Sequence, residues 1–246
     1  VSLKHFACNS QEYRRLQSDS QVDERTLREI YLRAFEKVVK KAQPATVMCA
    51  YNKINGTFCS DNKKLLTDIL RKDWGFKGAV ITDWGALNNR TEAFRAGCDL
   101  AMPGGSALGE KEAARAVKDG TLDIECVNTS VKRLLSLVLR RAEALEKSKD
   151  YSYDRTAHQM TAQRIAEEGA VLLKNEGNIL PLDNTREVVL IGRMAAYMRY
   201  QGGGSSHINP TRLVQVRESI PDAAYVEGCD EEGNVTEESL EEVTRA

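Results

Sequence analysis

Apolar and polar positions follow two rhythms along this chain. VSLKHFA (1–7), ATVMCAY (45–51), GAVITDW (78–84) and CDLAMPGG (98–105) are short and rich in β-favouring apolar residues. They read as strands. Between them, apolar residues recur three and four apart. DERTLREIYLRAFEKVVKKA (23–42) sets Leu27, Ile30, Tyr31, Ala34, Phe35 and Val38 on one helical stripe, with Asp23 as N-cap and Pro44 beyond the end. DNKKLLTDILRKDW (61–74), NNRTEAFRAG (88–97), KEAARAVKDG (111–120) and IECVNTSVKRLLSLVLRRAEALEK (124–147) continue as helices. Ser60 or Asp61 is placed to cap the first of these, and Gly97 to stop the second. Asn55-Gly56 marks a turn.

Strand followed by helix, four times over, predicts an α/β fold with a parallel sheet. Such a sheet is doubly wound or closed into a barrel, and in both its functional groups sit at the carboxyl ends of the strands. Those ends carry Lys4 and His5, Tyr51 and Asn52, Asp83 and Trp84, and Met102 and Pro103. One polar residue at a strand end is ordinarily a cap or a solvated turn. Several consecutive ends of this kind point to a shared space.

The pattern then changes. EKSKDYSYDRTAHQ has no apolar stripe and predicts a linker over 146–160, after a first domain spanning 1–145. TAQRIAEEGAVLLKNEGNILPL (161–182) reads as a helix running into an apolar segment. REVVLIGRMA (186–195) reads as a buried strand, RYQGGGSSHINP (199–210) as a glycine-rich loop, and TRLVQVRESI (211–220) as a helix. Together they open a second α/β domain over 161–246. The loop matches neither GxGxxG nor GxxxxGK[ST], so it makes no case for nucleotide phosphate. A loop reaching back to the first domain's site stays open. From Glu227 an acidic stretch suggests a surface insertion leading into a helix.

Composition narrows the partners. Among 246 residues, 35 Lys and Arg balance 36 Asp and Glu. That gives no electrostatic footprint for nucleic acid or an anionic membrane. No apolar run approaches the ~20 residues that span a bilayer. The six cysteines form no CxxC pair, and none of the three histidines stands at zinc spacing from one. No metal or cofactor is expected, and scattered thiols favour a reducing compartment, the cytoplasm. The chain opens on Val1 in a strand pattern and ends within a helical one. The expectation is therefore a piece of a longer protein, with any leader lying upstream.

Asp83 at a strand end suits a nucleophile or a metal ligand. No DxD-like cluster accompanies it. Trp84 beside it suits a sugar, whose C–H faces pack on aromatic rings while Lys4, His5, Arg15 and Tyr51 supply donors. A retaining glycosidase needs such an ionised carboxylate and a protonated one ~5 Å away.

KHFACNSQE, MCAYNKINGTFCS, LLTDILRKDWGFKGAVITDWGA, GCDLAMPGG, EEGAVLLKNEGNILPL and YQGGGSSHINP, in this order, closely resemble glycoside hydrolase family 3 of the β-glucosidase type. The resemblance implies the C-terminal half of a (β/α)8 TIM-type barrel, then the start of an α/β sandwich domain. It implies Asp83 as the catalytic nucleophile of a retaining hydrolase that releases terminal β-D-glucosyl residues from an oligosaccharide or glycoside. It implies substrate contacts from Lys4, His5, Arg15, Met48, Tyr51 and Trp84, and from Ser205 of the glycine loop. It places the acid/base glutamate beyond Ala246 and further sugar-gripping residues before Val1, so the segment alone is expected to be unstable and inactive. Glu168 and Glu176 are not promoted to that acid role. ACNSQE after Lys4-His5 argues against the N-acetylglucosaminidase branch. β-Xylosidase or another exo-glycosidase activity of the same family, an aldolase-type lyase using Lys4, and a non-catalytic sugar-binding fragment are the alternatives.

Overall fold

The computed structural model of the protein describes residues 1–182, 187–229 and 233–245. They divide into two units, Val1–Tyr153 and Asp154–Ala246.

The first unit is built on four strands: β1 (Ser2–Phe6), β3 (Thr46–Cys49), β6 (Ala79–Trp84) and β7 (Leu100–Met102). They lie in the order β1-β3-β6-β7, every pair parallel. Each is followed by helix: α1 over 24–42, α2 (Lys64–Asp73), α3 (Arg90–Ala96), and α4 (Ala107–Lys118) with α5 (Ile124–Lys147). This is an arc of four barrel units, the partial TIM-type barrel expected.

The two faces of the sheet differ. Val47, Cys49, Val80, Thr82 and Ala101 are buried against the helices, whereas Met48, Ile81, Asp83 and Met102 are only half-buried. The period-two alternation of strands separates them. The buried face joins Leu32, Leu66, Ile69, Leu70 and Trp74 in one core. Phe6 meets Phe35 and Trp74 edge-on, with ring centroids 5.1 and 5.8 Å away. Gly78 enters β6 where a Cβ would collide with the carbonyl of Ala45.

Asp99 ties the foot of this sheet to its helices. Its fully buried carboxylate accepts from Val80 N (2.8 Å), Arg71 Nη2 (2.7 Å), Arg133 Nη1 (2.9 Å) and Ser130 Oγ (2.9 Å). Arg71 donates further to Gly78 O and Gly97 O.

Local chemistry sets the ends of the helices. Asp23 caps α1, accepting from Thr26 N at 3.0 Å, and Gln43 closes that helix in the left-handed region before Pro44. A π-helical turn, Leu27–Tyr31, interrupts α1. α2 is π-helical throughout, and its cap differs from expectation. Asn62 Oδ1, not Ser60 or Asp61, accepts from Leu65 N at 2.9 Å. The Ser60 hydroxyl is turned to Asp61 instead. Asn55 and Gly56, both at positive φ, join β4 (Lys53–Ile54) to β5 (Thr57–Phe58), and β2 (Asp19–Ser20) pairs with β4.

The second unit holds helix α6 (Arg155–Gly169) and a parallel pair, β8 (Val189–Ile191) and β9 (Ala224–Val226). α7 (Arg193–Ala196), α8 (Val216–Ser219) and α9 (Glu237–Arg245) complete it. The polar stretch read as linker is partly helical, because Asp154 caps α6 by accepting from Ala157 N at 3.0 Å. The strand read as buried is three residues long, and Ile191 is exposed. The helix read over 211–220 shrinks to its last turn. Arg186 of that strand reading, and residues 230–232 of the acidic stretch, lie outside the described residues. No helix among the described residues is long and apolar enough to cross a membrane.

Candidate active site

The half-buried face of the sheet ends in a cluster around Asp83. Two irregularities of the ladder place it. In β1, Leu3 pairs with Val47 and Phe6 with Cys49, so Lys4 and His5 fall in a stretch with one residue more than its partner. In β6, Ile81 pairs with Leu100 and Trp84 with Met102, so Thr82 and Asp83 do the same. Extra residues of this kind re-aim side chains beside functional sites.

The carboxylate of Asp83 is held from two sides. Its Oδ1 accepts from Trp84 N at 2.7 Å, and its Oδ2 faces His5 Nε2 at 3.4 Å. Its side chain is 14% exposed. Tyr51, just past β3, donates its hydroxyl to Trp84 O at 2.8 Å, next to Asp83. Burial first, and the Asp83 charge second, raise the Tyr51 phenol above its ordinary value. Arg15 stacks on the Tyr51 ring, 4.5 Å from its centroid, and its Nη1 donates to Glu12 Oε2 at 2.5 Å. The bond to Glu12 raises the guanidinium above its ordinary value, with the charges of Tyr51 and Asp83 adding to it. The Trp84 indole is 63% exposed, a free apolar face beside the carboxylate.

Of the residues picked from sequence, His5, Arg15, Tyr51, Asp83 and Trp84 are thus joined in one chain of contacts. Lys4 is exposed on the same strand end as His5. Met48 is half-buried and pairs with Ile81, two residues before Asp83. Ser205 belongs to the second unit, exposed in the short turn Gly204–Ser206. Glu168 and Glu176 are surface carboxylates paired with Arg164 and Lys174, at 2.7 and 3.1 Å. Sequence reasoning passed over Glu12, whose one signal was its place three residues before Arg15. It also passed over the hydroxyl of Thr82, which receives Met102 N at 2.8 Å. Among the described residues, no three His, Cys, Asp or Glu side chains are grouped to hold a metal ion.

Comparison with known proteins gives this arrangement its relatives. The profile described as "Glycosyl hydrolase family 3 N terminal domain" matches residues 1–137, and that of the "Glycosyl hydrolase family 3 C-terminal domain" matches residues 170–245. The chain belongs to glycosyl hydrolase family 3. One similar protein is the thermostable beta-glucosidase B of Acetivibrio thermocellus, 45% identical over 99% of this chain and 33% of its own length. Another is the exo-alpha-(1->6)-L-arabinopyranosidase of Bifidobacterium longum, 41% identical over 89% of this chain and 30% of its own. The chain spans about a third of the length of the curated relatives it matches. Among solved structures, the family 3 beta-glucosidase of Bifidobacterium adolescentis superposes with a TM-score of 0.86 at 38% identity, covering 100% of this chain and 36% of that one. Beta-glucosidase 3B of Thermotoga neapolitana, in complex with alpha-D-glucose, gives 0.79 at 36%, covering 99% and 34%.

Proposed function

We propose that the intact protein is a retaining exo-β-glycosidase that releases terminal β-D-glucosyl residues by double displacement, with Asp83 as its nucleophile. The observation that carries this reading is the Asp83 carboxylate itself. One oxygen is pinned by Trp84 N–H, the other faces His5, and the whole stands at the carboxyl end of a barrel strand beside an exposed indole. Barrel enzymes place their chemistry at that end.

In the first step a carboxylate oxygen of Asp83 attacks the anomeric carbon, and the leaving group departs with a proton from a second carboxylic acid. Water then hydrolyses the glycosyl ester, with that second group acting as base. The family resemblance assigns the second group to a glutamate beyond residue 246. Tyr51 stays protonated and donates to Trp84 O beside the nucleophile. Lys4, His5 and Arg15 hold sugar hydroxyls, Met48 lies close by, and the Trp84 ring supports the sugar's apolar face. The pocket takes a glycoside or oligosaccharide and uses no cofactor. The six free thiols favour a reducing compartment, the cytoplasm.

The arabinopyranosidase relative supports a second reading at the level of the sugar alone. The same nucleophile would then act on a different pyranoside, and β-xylosides belong in the same panel.

The test is to incubate the intact protein with an activated 2-deoxy-2-fluoro-β-D-glucoside, digest it, and locate the adduct by mass spectrometry. A glycosyl label on Asp83 is the expected result. A label on another carboxylate overturns the assignment of the nucleophile. No label and no turnover across glucosides, xylosides and arabinosides would leave a sugar-binding protein.

A further inference from the structure

β3 lies between the strand that carries His5 and the strand that carries Asp83, and the two residues that follow its end region reach opposite ways. Tyr51 reaches β6, where its hydroxyl donates to Trp84 O at 2.8 Å. Asn52, the next residue, reaches the end of β1. Its Nδ2 donates to Ala7 O at 3.2 Å and to Lys53 O at 2.9 Å. Asn52 is 1% exposed, so water does not compete for these bonds. Turning the amide over would set Oδ1 against two carbonyl oxygens, which fixes its orientation. Oδ1 itself is buried and accepts nothing among the described residues. That is a cost, and the two bonds of the nitrogen have to offset it.

The tie falls beside the site. β1 is irregular between the pairs Leu3–Val47 and Phe6–Cys49, the stretch that holds Lys4 and His5. A bulged stretch lacks part of its ladder, so its shape depends on where the chain is pinned on either side. Leu3 pairs before it. After it, Phe6 O receives Ala50 N at 2.8 Å, and Ala7 O receives Asn52 Nδ2. The Cys59 thiol donates to Ala7 O as well, at 3.6 Å, and Cys59 N donates to Asn52 O at 3.1 Å. The hairpin that follows β3 thus closes over the same point. Two residues back from Ala7, the partly exposed His5 ring meets Asp83 Oδ2 at 3.4 Å. With little packing around it, the ring takes its place from its main chain.

We propose that Asn52 is a positioning residue, whose buried amide ties the Ala7 end of β1 to β3 and so sets His5 against the Asp83 carboxylate. This rests on Asp83 being the nucleophile.

The variants are made in the intact protein. Asn52→Leu is close in size and has no donor. It is expected to lower kcat/KM for an aryl β-glucoside, and the rate of Asp83 labelling by the fluoro-glucoside, roughly tenfold, less than the loss of His5 itself. In a crystal structure the separation of His5 from Asp83 should grow by about 1 Å, the scale of misplacement that has such effects. The deciding readout is a double-mutant cycle. In a His5→Ala background, Asn52→Leu should cost about twofold or less, because residues that act through one another are not additive. A merely structural role would cost the same factor in both backgrounds. If Asn52→Leu does not fold, Asn52→Ser, too short to reach Ala7 O, must show the same loss and the same coupling. No loss, equal losses in the two backgrounds, or an unchanged His5–Asp83 separation overturns the proposal. If neither variant folds, Asn52 serves the fold alone and the proposal fails. A wild-type label away from Asp83 refutes the nucleophile instead, and the His5–Asp83 separation then decides the role of Asn52 by itself.

Discussion

His5 Nε2 stands 3.4 Å from Asp83 Oδ2, although β3 separates their two strands in the sheet. The contact is possible because the ladders of β1 and β6 each carry an extra residue there. An imidazole so placed touches both the proposed nucleophile and the space a sugar hydroxyl would fill. His5→Ala is therefore expected to lower kcat/KM for an aryl β-glucoside by roughly 10²-fold, the usual size of a lost positioning contact. Thermal stability should barely change, because the ring is partly exposed. Steady-state kinetics with a melting curve checks both. A fall below threefold would detach His5 from the chemistry.

Tyr51 offers a pH signature. Burial and the Asp83 charge raise its phenol, so it remains a donor through neutral and mildly alkaline pH. The sign follows directly. A folded value above the unfolded one, near 10, contributes stability that is complete below pH ~10 and is lost as pH rises through the folded value. Tyr225 is raised as well, again by burial first. Ultraviolet titration of tyrosinate should show these two phenols ionising late, and Tyr51→Phe should remove one of them. The same variant should lose roughly tenfold or more in kcat, since it removes a positioned donor beside the proposed nucleophile.

The arrangement of the site was legible in the sequence for a physical reason. An apolar run that ends in Asp-Trp or Lys-His breaks the strand pattern, and a parallel sheet gathers such breaks at one edge. What stayed hidden is ladder geometry. Nothing in ITDW says that β6 advances three residues against two, because Thr82 is a good strand residue with or without a bulge. Capping was underdetermined as well. Ser60, Asp61 and Asn62 are all capping types, and the packing that buries Ser60 selects Asn62. In the second unit, six residues read as linker are helical because Asp154 supplies the cap, although the segment has no apolar stripe. The converse holds for 211–220. Its sequence suits a helix, but a short helix without a packing face does not persist.

The cysteines divide by depth. Cys8, Cys49, Cys59 and Cys98 are buried in the sheet's core, while Cys126 and Cys229 are partly exposed. Burial pushes the thiol of Cys8 up to about 11 and that of Cys59 up to about 12, from an ordinary 9.0. A native-state thiol assay near pH 8 should therefore count two reactive groups, and six after denaturation. The raised values also set an alkaline limit. The contribution of Cys59 is complete below pH 9.0 and is lost progressively up to about 12, so the denaturant midpoint should fall across that window. Cys59→Ala should flatten this slope while costing stability at neutral pH through the cavity it leaves.

Asp99 should be the most sensitive single charge in the sheet. Its carboxylate has no exposed surface, Arg71 is 9% exposed and Arg133 23%. Burial lowers the Arg71 guanidinium to about 10, and the Asp99 charge works against that fall. Neutralising the carboxylate leaves a nearly buried guanidinium, Arg71, and a half-buried one, Arg133, facing an amide. Breaking one side of a buried ionic cluster costs about 3–5 kcal/mol, whereas an exposed helical pair costs about 0.3–0.5 kcal/mol. Asp99→Asn should thus lower the unfolding free energy by about 3–5 kcal/mol. Asp68→Ala, which removes the exposed partner of Lys72, should unfold at the wild-type denaturant midpoint. Denaturant unfolding of the intact protein compares the two. The loss in Asp99→Asn should extend to Val80 N, whose amide should exchange with solvent faster as its acceptor weakens. Equal stability of the two variants would mean that main-chain pairing, not the carboxylate, fixes the foot of β6.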